Sequence, residues 1–173
     1  MEQTIMQNAA PAKEHVINAA QLLEHWQGHR KLTRRVIEVF PEDAFFNFSI
    51  GGMRPFSQLT WELLTIAAPG ITGIVTGDWG SLGDNSHNYA AAAPKTKEGF
   101  LKLWDESTAA LDEQWETLPD SRFQETILAF GQYEGTIFST ILYFVDNEIH
   151  HRGQGYVYLR ALGVEPPAFW DRS

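Results

Sequence analysis

Residues Thr136 to Leu162 read TIFSTILYFVDNEIHHRGQGYVYLRAL, and this stretch decides the fold. Phe144, Asn147, His151, Tyr158 and Leu162 recur at three- and four-residue spacing, the period of one face of an α-helix. At 1.5 Å per residue the helix is roughly 40 Å long. Gly163 supplies its stop, and Pro166-Pro167 prevent it from resuming. The face is apolar at its ends and polar in the middle. A buried polar group left unpaired costs about 1–3 kcal/mol, so Asn147 and His151 on a core stripe need partners. Gly153 and Gly155 each cost about 1 kcal/mol relative to alanine inside a helix, and close approach of a neighbouring element is the physical reason to expect for them. Arg152 either neutralises a nearby carboxylate or lies at an interface.

Upstream, three more helical segments follow from the same reasoning. From Glu14 to Phe40, a stripe of Leu22, Trp26, His29, Thr33, Val36 and Phe40 predicts an amphipathic helix, with Arg30, Arg34 and Glu38 on the other side and Pro41 as terminator. Ala44 to Gly52 (AFFNFSIGG) is aromatic, short and closed by two glycines, which suits an extended connector. A second helix starts near Pro55, carries Phe56, Leu59, Leu63 and Ile66, and reaches Pro69-Gly70; Ile71 to Val75 either continues it past a kink or forms loop. Gly77 to Lys95 is polar and glycine-rich, a long loop of the kind that serves as a connector, a lid or a binding element. Thr96 to Leu118 is the third helix, with Phe100, Leu103, Trp104, Leu111 and Trp115 on its apolar side. Ser121 to Gly131 is expected to be extended and to pair with the segment around Phe46. Four helices with only fragments of strand predict an all-α four-helix bundle with short extended connectors and one long loop between helices 2 and 3. The chain, 1–173, is expected to be one such domain with a flexible segment at 1–13.

Composition narrows the functions. Thirteen Lys and Arg against 22 Asp and Glu give a net charge of -9, which repels phosphate backbones and anionic lipid, so neither nucleic acid nor membrane is an expected partner. No uninterrupted apolar run reaches the ~18 residues of a membrane span, and Met1 to Lys13 lacks the pattern of a secretory leader. With no cysteine, disulfides, thiolate metal sites and cysteine nucleophiles fall away. A cytoplasmic setting is expected.

Chemistry therefore rests on a few side chains. Glu62 lies three residues after Leu59 and four before Ile66, on the apolar stripe of the second helix, although glutamate is almost never fully buried unless paired. Two helices that each push a ligand-type side chain inward form the plan of metal sites in helical bundles. An exposed Glu62, or one that partners an internal arginine, and a hydrogen-bonded core His151 are the plain readings of each residue alone. His25 and His29 have the i, i+4 spacing of a metal pair, but His25 is off the buried stripe, so the two are not expected to share a cation. His29 alone facing the bundle, as an additional ligand or as a group behind the ligands, is the more credible arrangement. His150 points about 100° away from His151, towards solvent or an interface.

The string His150-His151-Arg152-Gly153-Gln154, then Tyr158-Leu159-Arg160 and Gly163-Val164-Glu165-Pro166-Pro167, resembles the DinB-like superfamily of bacterial four-helix metalloproteins. Order and length of segments extend the likeness to about Glu14–Trp170. The resemblance implies three ligand positions, normally histidine: one on the second helix, and a His-x-x-x-His pair just before Arg-Gly-Gln. Here these positions are occupied by Glu62, Asn147 and His151. Replacing two imidazoles by oxygen donors makes the site harder and favours Mn²⁺ or Fe²⁺ relative to a three-histidine site, while Ni²⁺ and Zn²⁺ keep their general affinity advantage. Glu62 and His151 can equally pair directly, as an acid–base couple.

The function the resemblance implies is a metal-dependent enzyme, hydrolase-like or thiol-transfer-like, with a divalent cation between helices 2 and 4. The alternative is a non-catalytic bundle with a degenerate metal site, using Trp79, Tyr89 and the long loop for a small ligand or partner. A homodimer is the assembly the resemblance implies.

Overall fold

The computed structural model describes residues 16–80 and 89–173. The segment expected to be flexible at 1–13, the first residues of the expected helix from Glu14, and the middle of the long loop lie outside the described residues. Six α-helices and a β-hairpin are described: α1 (Ala19–Val39), α2 (Glu42–Asn47), α3 (Phe56–Thr76), α4 (Tyr89–Ala92), α5 (Lys97–Trp115), β1 (Thr126–Ala129), β2 (Tyr133–Thr136) and α6 (Ile137–Ala161). The architecture is mostly helical, with α3 packed on α5 and α6, and α1 packed on α6 and α5.

α1 begins at a capping box, in which the Asn18 side chain accepts from the Gln21 amide and the Gln21 side chain accepts from the Asn18 amide. Its expected stripe is buried, but Arg30, assigned to the outer face, is also buried at 1% exposure. The reason is that Arg30 reaches across to α5, where its guanidinium lies over Trp104 and donates to Thr108, Ser107 and the Trp104 carbonyl.

Two connector expectations are corrected. Glu42–Asn47 is a short helix rather than extended chain: Glu42 and Asp43 sit in its first turn, where the dipole favours acid, and Phe45 drops into a cluster with Phe40, Phe56 and Phe100. Extended backbone begins only at Phe48. The Ser121–Gly131 segment does not pair with that region. Instead β1 pairs antiparallel with β2, Thr126 opposite Thr136 and Ala129 opposite Tyr133. A tight turn through Phe130 and Gly131, both at positive φ (55° and 68°), makes this local pairing possible.

α3 continues through Pro69 to Thr76. An internal proline normally breaks a helix, but burial of Ala67, Ala68, Gly70, Ile71 and Ile74 on both sides of it holds the helix together. By length and hydropathy alone α3 is sufficient to cross a membrane, although polar residues such as Glu62, Thr65 and Thr72 interrupt it; 61% of that stretch is buried inside the protein, as in a core helix. Of the long loop, Tyr89–Ala92 is a single helical turn whose Tyr89 hydroxyl lies 2.7 Å from Ser57 Oγ on α3.

Thr136 caps α6, its hydroxyl accepting from the Ser139 amide. Two apolar clusters fill the interior. One contains Trp26, Ile71, Trp115 and Phe144, the other Phe40, Phe45, Phe56, Phe100 and Tyr158. Between them on α1 and α6 lies a layer of buried polar side chains: His29, Arg30, Thr33, Glu148, His151 and Arg152.

The two α6 glycines behave differently. A Cβ on Gly155 would stand 2.5 Å from the Phe56 ring, whereas one on Gly153 would meet nothing within 4 Å. Gly155→Ala is therefore expected to lower stability by about 1–3 kcal/mol through overpacking. Gly153→Ala should raise it by about 0.5–1 kcal/mol through helix propensity. Urea unfolding of the two variants, followed by circular dichroism, measures both signs.

Candidate functional site

Glu62 projects from the second turn of α3, and His151 from the middle of α6. The two helices bring Glu62 Oε1 to 2.9 Å from His151 Nε2. His151 is buried, and the Glu62 side chain keeps 21% of its exposure, so the pair sits at the edge of the interior with one side open. Each member is held from behind. Arg54, just before α3, places NH2 2.6 Å from Glu62 Oε2. Gln154, one turn beyond His151, presents Oε1 2.8 Å from His151 Nδ1. The amide orientation is consistent with its other contact, in which Gln154 Nε2 donates to Met53 Sδ at 3.7 Å. Neither Arg54 nor Gln154 was assigned a role from sequence; the His-x-x-Gln spacing was the available signal for the second.

These contacts fix the electrostatics. A carbonyl oxygen at Nδ1 accepts a hydrogen there, so a His151 that also donates from Nε2 to Glu62 carries both ring hydrogens, whereas a neutral ring turns a bare Nε2 towards the carboxylate. The hydrogen bond from His151, then that from Arg54, pulls the Glu62 carboxyl down to about 2 despite partial burial, so it is ionised at neutral pH. A lone pair facing a carboxylate at 2.9 Å repels. The arrangement is stable when a cation, either a proton or a metal ion, lies between the two atoms. Histidine ligands commonly donate their other ring N–H to a carbonyl or carboxylate, the role Gln154 fills.

Asn147 stands one turn before His151 on α6. Its side-chain nitrogen is buried without a hydrogen-bond partner among the described residues. Such an orphan costs about 1–3 kcal/mol and marks a position where a ligand or a cation-bound group can be accommodated. Rotation of the carboxamide exchanges its nitrogen and oxygen, so it offers either a donor or a weak oxygen ligand. No group of three His, Cys, Asp or Glu side chains is gathered for metal binding among the described residues. The structure thus brings one carboxylate and one imidazole into contact, with the Asn147 carboxamide one helical turn away along α6.

The remaining histidines occupy other places. His29 is buried, its Nδ1 lying 2.8 Å from Arg152 NH2 and its Nε2 3.2 Å from His25 Nε2. Because Arg152 can only donate, His29 carries its hydrogen on Nε2 and gives it to His25. His25 and His29 thus face each other more closely than the stripe implied, but joined by a hydrogen bond that leaves no pair of free nitrogens for a metal. His150 is exposed, its ring edge-on to His151.

A second buried group escaped the sequence reading. Glu148, 2% exposed, accepts from Thr33 Oγ1 at 2.6 Å and from Trp26 Nε1 at 3.2 Å, with Arg152 and Arg30 at 3.7 and 3.8 Å. Arg152 also donates to the His29 carbonyl and to Thr33 Oγ1. Its open alternative is thereby resolved in favour of a carboxylate partner. Glu148 and Arg152 on the apolar Ile141–Val145–Leu159 stripe were the missed signal.

The sequence model of the DinB family matches residues 6–172. The chain belongs to the DinB family. Two crystal structures share the fold. A DinB-like protein from Bacillus cereus ATCC 10987 is 16% identical, with a TM-score of 0.71 over 87% of this chain and 97% of that one. The DinB-like protein YjoA from Bacillus subtilis is 19% identical, with a TM-score of 0.65 over 86% and 97%. No curated protein matches the chain. DinB proteins are generally metal-associated, and in this DinB chain Glu62 and His151 meet between α3 and α6.

Burial, then the positive charges of Arg152 and Arg172, lower the His29 pKa to about 3. Between pH 6.5 and 3 the unfolded chain binds a proton at this position that the folded chain refuses, so stability falls as pH falls through that window. In His29→Gln, whose carbonyl can still accept from Arg152, the slope of unfolding free energy against pH in that range should shrink by about 1.4 kcal/mol per pH unit. Urea titrations at pH 4, 5, 6 and 7 provide the comparison; an unchanged slope would show that His29 takes up its proton in the folded state.

Proposed function

We propose that the chain is a metal-dependent enzyme in which Glu62 Oε1, His151 Nε2 and the Asn147 carboxamide hold one divalent cation between α3 and α6. The observation that carries this reading is the Gln154–His151–Glu62 line, in which Glu62 Oε1 stands 2.9 Å from Nε2 of an imidazole whose Nδ1 lies 2.8 Å from the Gln154 carbonyl oxygen. When bound, the cation supplies Lewis acidity and lowers the pKa of coordinated water or thiol. The protein's own residues do the positioning. Arg54 holds the second Glu62 oxygen and limits the carboxylate to one inward-facing atom. Gln154 fixes the tautomer and ring orientation of His151, and the open side of Glu62 gives access to substrate. Hydrolase-like or thiol-transfer-like chemistry suits such a site, and Mn²⁺, Fe²⁺, Ni²⁺ or Zn²⁺ suits this mixed donor set.

Elemental analysis of protein purified without an affinity tag tests this. Near-stoichiometric metal is expected in the parent protein, lost in Glu62→Ala and in His151→Ala. Gln154→Ala should weaken the metal by about 10–100-fold, the usual effect of removing a group that orients a ligand. Metal content equal in all four proteins would end the reading.

A second reading, a dimeric bundle with a degenerate site, is favoured by the absence of a third acidic or histidine donor among the described residues. Asn147→His distinguishes the two. A dormant site gains affinity by orders of magnitude, whereas a working one changes mainly in metal preference. Under either reading we propose a homodimer through the outer face of α6, where Ile149 and Val157 stand exposed, with neither nucleic acid nor membrane as partner. Sedimentation velocity should show a dimer in the parent protein and a monomer in Val157→Glu.

A further inference from the structure

A cleft lies between the hairpin and the first turns of α6, with a volume of about 270 Å³. Its lining includes Phe130, Tyr133, Gly135, Ser139, Thr140 and Tyr143. Four observations set what it can hold. Tyr133 and Tyr143 are 65% and 56% exposed, which leaves two large aromatic side chains in water without a covering element. Phe130 has φ +55°, a left-handed conformation that costs a bulky residue about 1–3 kcal/mol and tends to cluster at ligand sites. Its ring is held by Trp79 at 4.9 Å, Phe144 at 6.1 Å and Tyr133 at 6.4 Å, so the strained backbone presents an aromatic wall. At the floor, Gly135 has no room for a side chain, since a Cβ would stand 2.9 Å from Ser139 Oγ.

The polar character of the floor is equally defined. Ser139 Oγ and Thr140 Oγ1 both donate to the Thr136 carbonyl, at 2.9 and 3.0 Å. Their hydrogens are committed, and what they offer a guest is acceptor lone pairs. No Lys, Arg or His lines the cleft, so an anionic guest finds no counter-charge. Glu134 lines the cleft as well. The wall is therefore aromatic with one acceptor-only carboxylate, which repels an anion and suits an uncharged guest that carries a hydrogen-bond donor.

We propose that this cleft binds a neutral, flat aromatic ring bearing an N–H or O–H donor, which contacts Tyr133, Tyr143 and Phe130 and donates to the Ser139 or Thr140 hydroxyl. Tyr143, Asn147 and His151 follow one another at four-residue steps along α6, so a substituent on the ring extends towards Glu62 and His151. Burial, then the Glu62 charge, raises the Tyr143 phenol, in keeping with that proximity. As the substrate compartment of the metal-dependent reaction, the cleft rests on the reading of Glu62 and His151; as a ring-binding site it stands without it.

The test uses the full chain, treated with chelator, and ¹H–¹⁵N correlation spectra with indole, phenol, cyclohexanol and benzoate as probes. Indole and phenol should shift the amides of Phe130, Gly135 and Tyr143. Phenol should bind at least fivefold more tightly than cyclohexanol, which has the same donor but no aromatic face, and benzoate should not bind there. Tyr143→Ala, Tyr133→Ala and the cleft-filling Ser139→Leu should each weaken indole at least fivefold, while spectra elsewhere confirm the fold. Glu62→Ala and His151→Ala should leave indole binding intact, so loss of the metal reading and loss of the ring site are separate results. Equal binding of phenol and cyclohexanol, indole shifts confined to other surfaces, or undiminished affinity in the three cleft variants would each overturn the proposal.

Discussion

The Glu148 carboxylate, shut between α1 and α6, is the constraint to which the rest of the interior conforms. One oxygen accepts from Thr33 and the other from Trp26, and the guanidinium groups of Arg30 and Arg152 approach from either side. Removing one partner of a buried ion pair typically costs 3–5 kcal/mol because the remaining charge is stranded. The network is therefore poor evidence of net stability, but it strongly penalises alternatives. If α6 slides by one turn along α1, Glu148 loses both hydrogen bonds and Arg152 loses the His29 carbonyl. Arg30 extends the same specification to α5 through Thr108, Ser107 and Trp104. Three helices are thus held in register by polar geometry, which apolar packing alone specifies less sharply.

That register places the candidate site. His151 is adjacent in sequence to Arg152 but points about 100° around the helix, towards α3 instead of α1. Fixing Arg152 against His29 and Thr33 therefore fixes the direction of His151. On the α3 side, close approach of Phe56 to Gly155 and of Phe144 to Gly70 sets the α3–α6 spacing at two points flanking the pair. Glu62 lies between those contacts, and its 2.9 Å separation from His151 follows from two glycine-mediated approaches and one buried salt-bridge network. The two apolar clusters supply most of the folding free energy, while the polar layer between them determines where the ligand-type atoms meet.

Much of this was legible in the sequence wherever periodicity and end signals agreed. The α6 stripe, its Gly163 stop, the buried α1 stripe and the inward position of Glu62 all follow from 3.6-residue repetition, because burial of a helix face is a one-dimensional property. Arg30, Glu148 and the α2 helix were not legible for a common reason. Arg30 and Glu148 look like surface residues until the partner from another helix is known, and a six-residue segment rich in phenylalanine carries no period to read. The hairpin was assigned the wrong partner because strand pairing depends on the turn, and a positive φ at Phe130 is not a sequence preference of phenylalanine. Arg54 and Gln154 act through geometry at the ends of flexible side chains, which spacing alone does not specify.

On the reading proposed for Glu62, Asn147 and His151, the departure from three histidines has a coherent physical form. With imidazole at all three ligand positions, the donors are neutral, and a divalent cation keeps its full charge in a partly buried place. With Glu62 in one position, the local charge is reduced by one, and Arg54 must then hold the second carboxylate oxygen to prevent it from chelating or turning away. The Asn147 carboxamide contributes weak donation, which leaves the cation more electron-poor towards a substrate than a third imidazole would. In the proposed site the anionic carboxylate would strengthen binding and offset part of the cation's charge, while the weakly donating carboxamide would offset less of it than a third imidazole, so the two substitutions act in opposite directions on Lewis acidity.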